Sequence, residues 1–405
     1  MKNWQHYEKE NRAVVLKFKK IDIIIALLFF AVFKIYAIPQ TVQQAIKIIL
    51  IIVVLAYLFL HIPLKKWWNL GAVLSLVYMI PSIQGILSQS ITTRVFLDGV
   101  LYSICIYASY MVIQFGAQRE GIERVISDLY FLTFCYCLIS LASILYVGTS
   151  ANGTEMTYFF GDKFSTGYFF IMLAALYYTV YYEKIQNAFR YRFFYFVLCA
   201  VAVGVGMWIY CTTVMLGSIV LFAAVLVPDR LKKYLMSPFF LVGAVIVAGI
   251  IVFSMTTIME IPQIQNFVVN ILGKSVGLTG RIYIYSNLLQ IIQKKFIWGY
   301  GYNSLIVANT IGYGNAQNGL MELMVNYGLV GVITFLWSVY YSISRSNRKD
   351  NCYGLYIFII TMVICSLVEV SYNYYFYLIL FLLRWIQEKT KEQKVLGGLP
   401  YVVSH

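Results

Sequence analysis

Cationic side chains are grouped in one stretch of a chain that carries few charges. Only 12% of the residues are charged. Between positions 257 and 315 the sequence places four cations against the single carboxylate of Glu260, namely Lys274, Arg281, Lys294 and Lys295. Arginine binds phosphate through two parallel hydrogen bonds, whereas lysine acts as a point charge. The group therefore predicts a site for an anionic ligand such as a lipid pyrophosphate, with plain contact to lipid headgroups as the alternative.

Carboxylates that could take a proton from a hydroxyl group are few. Glu322 lies just inside an apolar run, where an ionisable side chain is costly and is therefore usually functional. The alternative for Glu322 is an ion pair with a cation on a neighbouring helix. Asp162 and Glu155 are the next candidates, and Glu369 and Asp98 are weaker ones.

The sequence offers little for metal or nucleotide chemistry. The three histidines are far apart, and Cys135 and Cys137 are too close together for a zinc knuckle. Gly299 and Gly301 follow no strand and precede no Lys-Ser/Thr pair, so a phosphate-binding loop of the Rossmann or P-loop kind is not indicated. We predict no metal and no cofactor.

The elements that hold these residues are set by composition. The chain has 405 residues, of which 61% are hydrophobic, and its mean hydropathy of +0.75 excludes a soluble globular fold. At about 20 residues per span, the sequence predicts an all-α polytopic membrane protein with about twelve transmembrane helices. The apolar runs lie near 21–38, 42–60, 67–87, 95–115, 129–147, 164–182, 193–210, 211–227, 237–256, 319–343, 353–368 and 371–386.

One long apolar stretch, 193–227, decides the threading of everything after it. A single helix of 35 residues would be about 52 Å long, whereas the hydrocarbon core is about 30 Å thick. Two spans with a turn at 211–213 place most of the 31 lysines and arginines on the cytoplasmic side, and a single span would distribute them almost evenly. The positive-inside rule favours two spans and a cytoplasmic N-terminus.

This threading divides the chain into five parts. We expect a cytoplasmic N-terminus at 1–20, helices one to nine at 21–256, an extracytoplasmic loop at 257–315, helices ten to twelve at 316–386 and a cytoplasmic tail at 387–405. Loops longer than about 12–15 residues usually carry function. The loop between helices nine and ten is therefore the predicted substrate and catalytic region, and 282–292 within it has the pattern of a short amphipathic helix.

Four short motifs in and after this loop resemble the signature of the O-antigen ligase/polymerase superfamily. They are TGR at 279–281, FIWGYG at 296–301, AQNGLMEL at 316–323 and NYGLVG at 326–331. Earlier in the chain, FGDKF at 160–164 resembles the loop-to-helix element of the same family. Within the superfamily, the chain looks most like the Wzy-type polymerases of O-antigen and capsular polysaccharide.

The resemblance implies an inverting glycosyltransferase in the bacterial cytoplasmic membrane that needs no metal. Its substrate would be an oligosaccharide linked to undecaprenyl pyrophosphate, joined to a second lipid-linked unit at the outer face of the membrane. The implied partners are this lipid-linked oligosaccharide, membrane lipid and, in the cell, a chain-length regulator and a flippase. No nucleic acid is expected.

The resemblance also suggests roles for individual residues. Arg281 would bind the pyrophosphate, assisted by Lys163 or Lys274, and Glu322 would remove the proton. Gln317 stands where family members often have histidine, and because glutamine cannot accept a proton we expect it to position the acceptor. The remaining substrate-binding candidates are Asn318, Lys294, Lys295, Tyr300 and Asp162.

Two other functions stay open on the sequence alone. A ligase would move finished glycan to a different acceptor, and a short motif does not distinguish it from a polymerase. A flippase or another carrier of lipid-linked oligosaccharide usually shows two similar halves, and no half-length repeat is evident here. The late external loop favours an enzyme over a carrier.

Overall fold

The computed structural model describes residues 19–33, 35–148, 157–266, 269–270, 280–345 and 350–396. The fold is all-α with 81% helix, and no strand forms among these residues. Lys274, Glu155 and the predicted cytoplasmic N-terminus up to residue 18 lie outside the described residues. The all-helical class predicted from composition is therefore confirmed.

Thirteen longer helices of the described chain are numbered in order. They are α1 (Lys20–Val32), α2 (Gln40–His61), α3 (Leu70–Leu87), α4 (Thr93–Arg119), α5 (Ile122–Val147), α6 (Lys163–Val180), α7 (Phe189–Trp208), α8 (Thr212–Ala224), α9 (Pro238–Ile250), α10 (Arg281–Lys294), α11 (Gly319–Ser344), α12 (Tyr353–Cys365) and α13 (Tyr374–Leu396). Shorter helices connect them at Tyr182–Asn187, Asp229–Leu235, Met255–Met259, Pro262–Asn266 and Ile306–Ile311.

Each of the twelve predicted apolar runs overlaps one of these helices, and only α10 lies outside them. Six described helices are long and apolar enough to cross a membrane, namely α2, α3, α4, α5, α7 and α11. A seventh span is possible if Asp229–Leu235 and the following helix, bent by 64°, count as one. Helices α8, α12 and the first part of α13 are apolar but shorter. The number of about twelve crossings therefore stays a prediction.

The stretch 193–227 forms two helices, as its length requires. Helix α7 ends at Trp208 and α8 begins at Thr212, with Tyr210 between them in the left-handed region at φ +51°. The Tyr195 hydroxyl donates a hydrogen bond of 2.7 Å to the Leu221 carbonyl, so α8 runs back along α7. The predicted turn at 211–213 thus lies at the start of α8.

The loops segregate to the two ends of the helical bundle. At one end, the segments predicted to be extracytoplasmic contact one another, since Tyr36 N–H donates to the Phe159 carbonyl at 2.8 Å and Asn303 donates to Asp98 at 3.3 Å. This end, which contains the described residues of the 257–315 loop and the 366–373 connection, is called the loop end below.

At the opposite end, segments predicted to be cytoplasmic pair with each other. Lys19 forms an ion pair with Glu120, and the Lys66 ammonium donates to the Gln118 side chain at 3.0 Å. The contacts at both ends agree with alternating threading. Which end faces outward is still a prediction from charge.

Two of the sequence motifs are in contact because α11 is broken. Gly328 interrupts the helix at φ +61° and ψ −164°. The break leaves the carbonyls of Val325 and Asn326 accessible, and they accept hydrogen bonds from the backbone amides of Tyr300 at 2.9 Å and Gly301 at 2.8 Å. The 296–301 segment is therefore hydrogen-bonded to the broken helix at residues 325 and 326, which follow Glu322 in the sequence.

Candidate functional site

Arg281 begins α10, the helix that the amphipathic pattern predicted at 282–292. Gly280 ends the preceding segment in a left-handed conformation at φ +87°, which glycine adopts without strain. The buried face of α10 contains Ile284, Tyr285 and Leu288. This face docks α10 on the bundle and places the Arg281 side chain, 17% exposed, at the loop end.

The connection between α12 and α13 receives the Arg281 guanidinium. Its Nε donates to the Val368 carbonyl at 2.9 Å, and its Nη2 lies 3.5 Å from the Glu369 carboxylate. An arginine has five donors in a planar fork. Two of its contacts therefore fix the orientation of the guanidinium on this connection.

Glu369 is only 5% exposed although it carries an ionisable group. Burial raises the pKa of its carboxyl to about 7, and the positive charge of Arg281 lowers this pKa by a smaller amount. The charges of Asp162 and Lys163 also act on Glu369, in opposite directions. Arg281 thus lies against the buried Glu369 carboxyl, and the charges of Asp162 and Lys163, more than a hundred residues before Arg281 in sequence, act on the same carboxyl. These four residues and Tyr285, on which Arg281 and Glu369 also act, are called the Arg281 cluster below.

The segment 315–319 lies between this cluster and the interior. Tyr285, one helical turn after Arg281, donates its hydroxyl to the Gln317 carbonyl at 2.9 Å. Burial raises the pKa of Tyr285 to about 12, so the phenol stays protonated and remains a donor. The Gly319 amide donates to the Ser366 carbonyl at 2.9 Å. The middle and the end of this segment are therefore held against neighbouring elements.

Gln317 has the left-handed φ of +52° that few non-glycine residues adopt. Its side-chain amide donates to Asn315 at 2.9 Å, and its backbone amide donates to the same oxygen at 2.9 Å. Gln317 is half-buried, its carbonyl contacts Tyr285, and it does not line the cavity described next. Its proposed contact with the acceptor stays a prediction.

Asn318 does something different from the expected contact with an acceptor. It is fully buried, and its carbonyl oxygen accepts from the Met321 amide at 3.1 Å at the start of α11. Its amide donates to the Ala248 carbonyl at 2.9 Å and to the Leu367 carbonyl at 3.4 Å. Because both ends of the side chain are engaged inside the protein, we assign Asn318 to capping α11 and holding the segment.

Glu322 lines a cavity of about 230 Å³ at the loop end. One carboxylate oxygen accepts from the Ala316 amide at 2.8 Å, and the other accepts from the Asn326 side chain at 2.9 Å. The wall also contains tyrosine and asparagine side chains, including Tyr102, Tyr302, Asn303, Asn315 and Asn373. A carboxylate has about four acceptor positions, so Glu322 can anchor the segment and still accept from a ligand.

The predicted cations Lys294 and Lys295 lie away from Arg281. Lys294 is 13 residues after Arg281 on α10, about 20 Å along the helix axis. Lys295 contacts Ser90 at 3.5 Å and the ring of Tyr300 at 5.1 Å. Lys294 and Lys295 therefore lie at the other end of α10 from Arg281, and their contact with substrate stays a prediction.

Tyr300 and the FGDKF element have mainly structural contacts. The Tyr300 hydroxyl donates to the Ile291 carbonyl at 3.0 Å, so its side chain fastens the 296–301 segment to α10. Asp162 caps α6 by accepting from the Ser165 amide at 2.7 Å. The segment 160–164 therefore leads from a loop into a helix, and half-buried Lys163 is the first residue of α6, with its ammonium 5.4 Å from the centre of the Phe164 ring.

The sequence alone does not identify Tyr285 as a site residue, and it ranks Glu369 among the weaker candidates. Tyr285 has a detectable signal, because it is four residues after Arg281 and so shares its face of α10. Glu369 was considered a weak candidate, since it follows an apolar run and no spacing connects it with Arg281. Only the packing of the 366–373 connection against α10 reveals that pairing.

Among the described residues, the side chains that could bind a metal ion are scattered. No set of three or more His, Cys, Asp or Glu side chains lies close enough there to bind one. The cations and carboxyls of the cluster are suited to electrostatic binding of a phosphate and to movement of a proton.

Comparison with known families agrees with this geometry. The family model described as O-antigen ligase matches residues 207–336, about a third of the chain. The matched range includes Arg281, the 315–319 segment, Glu322 and the break at Gly328. No curated protein and no solved structure matches the chain. Residues 207–336 are therefore similar to a family of glycan-transferring membrane enzymes, the O-antigen ligases.

Proposed function

We propose that the protein is a polysaccharide polymerase of the bacterial cytoplasmic membrane. It joins oligosaccharide repeat units carried on undecaprenyl pyrophosphate into O-antigen or capsular polysaccharide at the outer face. The observation that carries the proposal is the position of the 315–319 segment between the Arg281 cluster and the Glu322 cavity. A phosphate-binding cation and a carboxylate are thereby held on either side of one fixed piece of backbone.

In the proposed reaction, a hydroxyl oxygen of the acceptor sugar attacks the anomeric carbon of the donor. The bond between that carbon and the diphosphate oxygen breaks, and the diphosphate leaves with the electron pair. The hydroxyl proton passes to Glu322, which lines the cavity with room for a sugar. Attack opposite the leaving group inverts the configuration at this carbon.

Arg281 supplies the electrostatic part of this reaction. Diphosphate is already a good leaving group, so the main requirement is to stabilise the negative charge that grows on it. The guanidinium is oriented by Val368 and Glu369 before substrate arrives, and Lys163 adds a second positive charge nearby. A cation held in place in this way costs no reorganisation during the reaction.

A ligase is the second candidate, favoured by the description of the matching family as O-antigen ligase. The two functions share the donor and differ in the acceptor. A strain deleted for a polymerase retains single repeat units on the final acceptor, whereas a strain deleted for a ligase accumulates long glycan on the carrier lipid. The length and attachment of glycan in a deletion strain test the proposal directly.

A carrier of lipid-linked oligosaccharide is a third function, separated by reconstitution. Purified protein in vesicles with lipid-linked repeat units on both leaflets should join units without accelerating their movement across the bilayer. Accelerated movement with no joining would replace the enzyme by a transporter.

A further inference from the structure

A second cavity of about 350 Å³ lies beside the Glu322 cavity at the loop end. The two share Tyr102, Tyr302, Asn303 and Asn373 as a common wall. In this wall the rings of Tyr102 and Tyr302 are stacked, with their centroids 4.1 Å apart. Nothing in the reaction described above uses the second cavity.

Helix α2 presents a polar stripe to this cavity. Gln40, Gln44 and Lys47 are spaced by four and three residues, so they lie on one face of the helix, and Gln43 flanks them. After Lys47 the helix is apolar as far as His61 at its end. The stripe covers only the first two turns, and Lys47 is therefore about 10 Å along the axis from the start of the helix.

Lys47 is a charged residue in a helix that is otherwise suited to cross a membrane. Its ammonium donates to the Tyr374 hydroxyl at 3.3 Å and lies 5.1 Å from the centre of the same ring. Among the described residues it forms no ion pair with a carboxylate. An ionisable side chain within a membrane-spanning helix is costly and is by default a candidate functional residue.

The carboxylate of Asp98 lines the same cavity as Lys47, and it accepts hydrogen bonds from two neutral amides. Asp98 accepts from Gln44 at 2.6 Å and from Asn303 at 3.3 Å. It thereby connects α2, α4 and the loop that carries the shared wall. The opposite wall is apolar and includes Phe30, Phe33 and Ile35. The cavity thus combines one cation, one carboxylate held by two amides, further amides and a hydrophobic side.

We infer that the second cavity binds the diphosphate and first sugar of the acceptor lipid, with Lys47 contacting its phosphate. This inference rests on the proposed function, because a polymerase must hold two lipid-linked chains with their reacting ends adjacent. Amides and tyrosines pair with sugar hydroxyls, the ammonium neutralises phosphate, and the apolar wall receives the lipid. Because the two cavities adjoin along the shared wall, an acceptor bound in the second cavity has its far end close to the Glu322 cavity.

The test counts bound lipid on the full-length protein in detergent by native mass spectrometry. The probe is a polyprenyl diphosphate that carries one sugar. Wild-type protein should bind two molecules per chain, Lys47→Gln and Arg281→Gln one each, and Lys47→Arg two. Lys65→Gln, an exposed lysine beyond the other end of α2, is the control and should bind two.

A kinetic measurement separates this site from the Arg281 site. Lys47→Gln should raise the KM for acceptor lipid about tenfold and leave kcat within about twofold, since one charge-assisted contact is lost. Retained binding at the Arg281 site shows that the variant is folded. Two bound molecules in Lys47→Gln, or displacement of the second one by phosphatidylglycerol at equal concentration, would overturn the inference. Wild-type protein that binds two molecules but never joins them would instead overturn the proposed function.

Discussion

Glu322 combines two tasks at the level of a single side chain. Its carboxylate accepts from the backbone of Ala316 and from Asn326, and it also faces the cavity. The sequence could predict that this residue is important, because a carboxylate just inside an apolar run is costly. It could not predict that Asn318 is fully buried while the adjacent Gln317 is half-buried, because this difference depends on the left-handed backbone at Gln317.

Replacement of Glu322 by glutamine tests its role as the base. The amide is nearly isosteric and can still accept from Ala316, so the fold should be retained while proton removal is lost. We expect joining of repeat units by the purified variant to fall by about 10²–10⁴-fold, the usual contribution of a general base. Glu183→Gln, an exposed carboxylate near the opposite end, is the control. Unchanged turnover in Glu322→Gln would exclude this residue as the base.

Glu369 predicts a pH dependence of stability. Its pKa is raised to about 7 in the folded protein against an ordinary 4.5, because burial disfavours the charged form. The folded state therefore retains the proton to higher pH, and the stability that this gives is lost as pH rises toward 7. The melting temperature of wild type should fall between about pH 5 and pH 8 more than that of Glu369→Gln. Parallel curves for the two proteins would contradict the assignment.

At the scale of elements, the break in α11 joins the motifs that sequence comparison treats separately. Backbone amides at 300 and 301 bond to carbonyls at 325 and 326, and the Leu329 amide donates to the Phe296 carbonyl at 2.8 Å. Apolar runs predicted the helices because helix formation is local. The pairing of a loop with a broken helix joins residues that are distant in sequence. The order of the motifs could therefore suggest that they meet, but it could not identify which residues form the hydrogen bonds.

Gly328→Ala tests whether the break is required. The added Cβ would lie 2.3 Å from the Ile297 carbonyl oxygen, and the residue already has a φ of +61°. We expect a loss of about 2 kcal/mol or more in stability and a matching loss of joining activity. Gly204→Ala, in α7 with no atom within 4 Å of the added Cβ, should leave the melting temperature and activity close to wild type. Equal melting temperatures for both variants would show that the break is not under steric constraint.

Across the whole molecule, contacts at the two ends of the bundle agree with alternating threading, while the identity of the outer end depends on the charge distribution. Cysteine labelling of intact cells tests it. Ser286→Cys, exposed on α10 at the loop end, should react with a membrane-impermeant maleimide. Ser344→Cys, exposed at the end of α11, should react only after the cells are opened. The reverse pattern would place the Arg281 cluster in the cytoplasm and end the proposal for an outer-face polymerase.

The central claim is that this protein joins lipid-linked repeat units through a diphosphate held by Arg281. Its most direct test is a joining assay with purified protein and one defined repeat unit on a polyprenyl diphosphate carrier. Wild type and Arg230→Gln, an exposed arginine at the opposite end, should give a ladder of products. Arg281→Gln should reduce the ladder by about 10²–10³-fold at equal protein level, the usual effect of removing a preorganised donor. An undiminished ladder from Arg281→Gln, or none from wild type, would contradict the account.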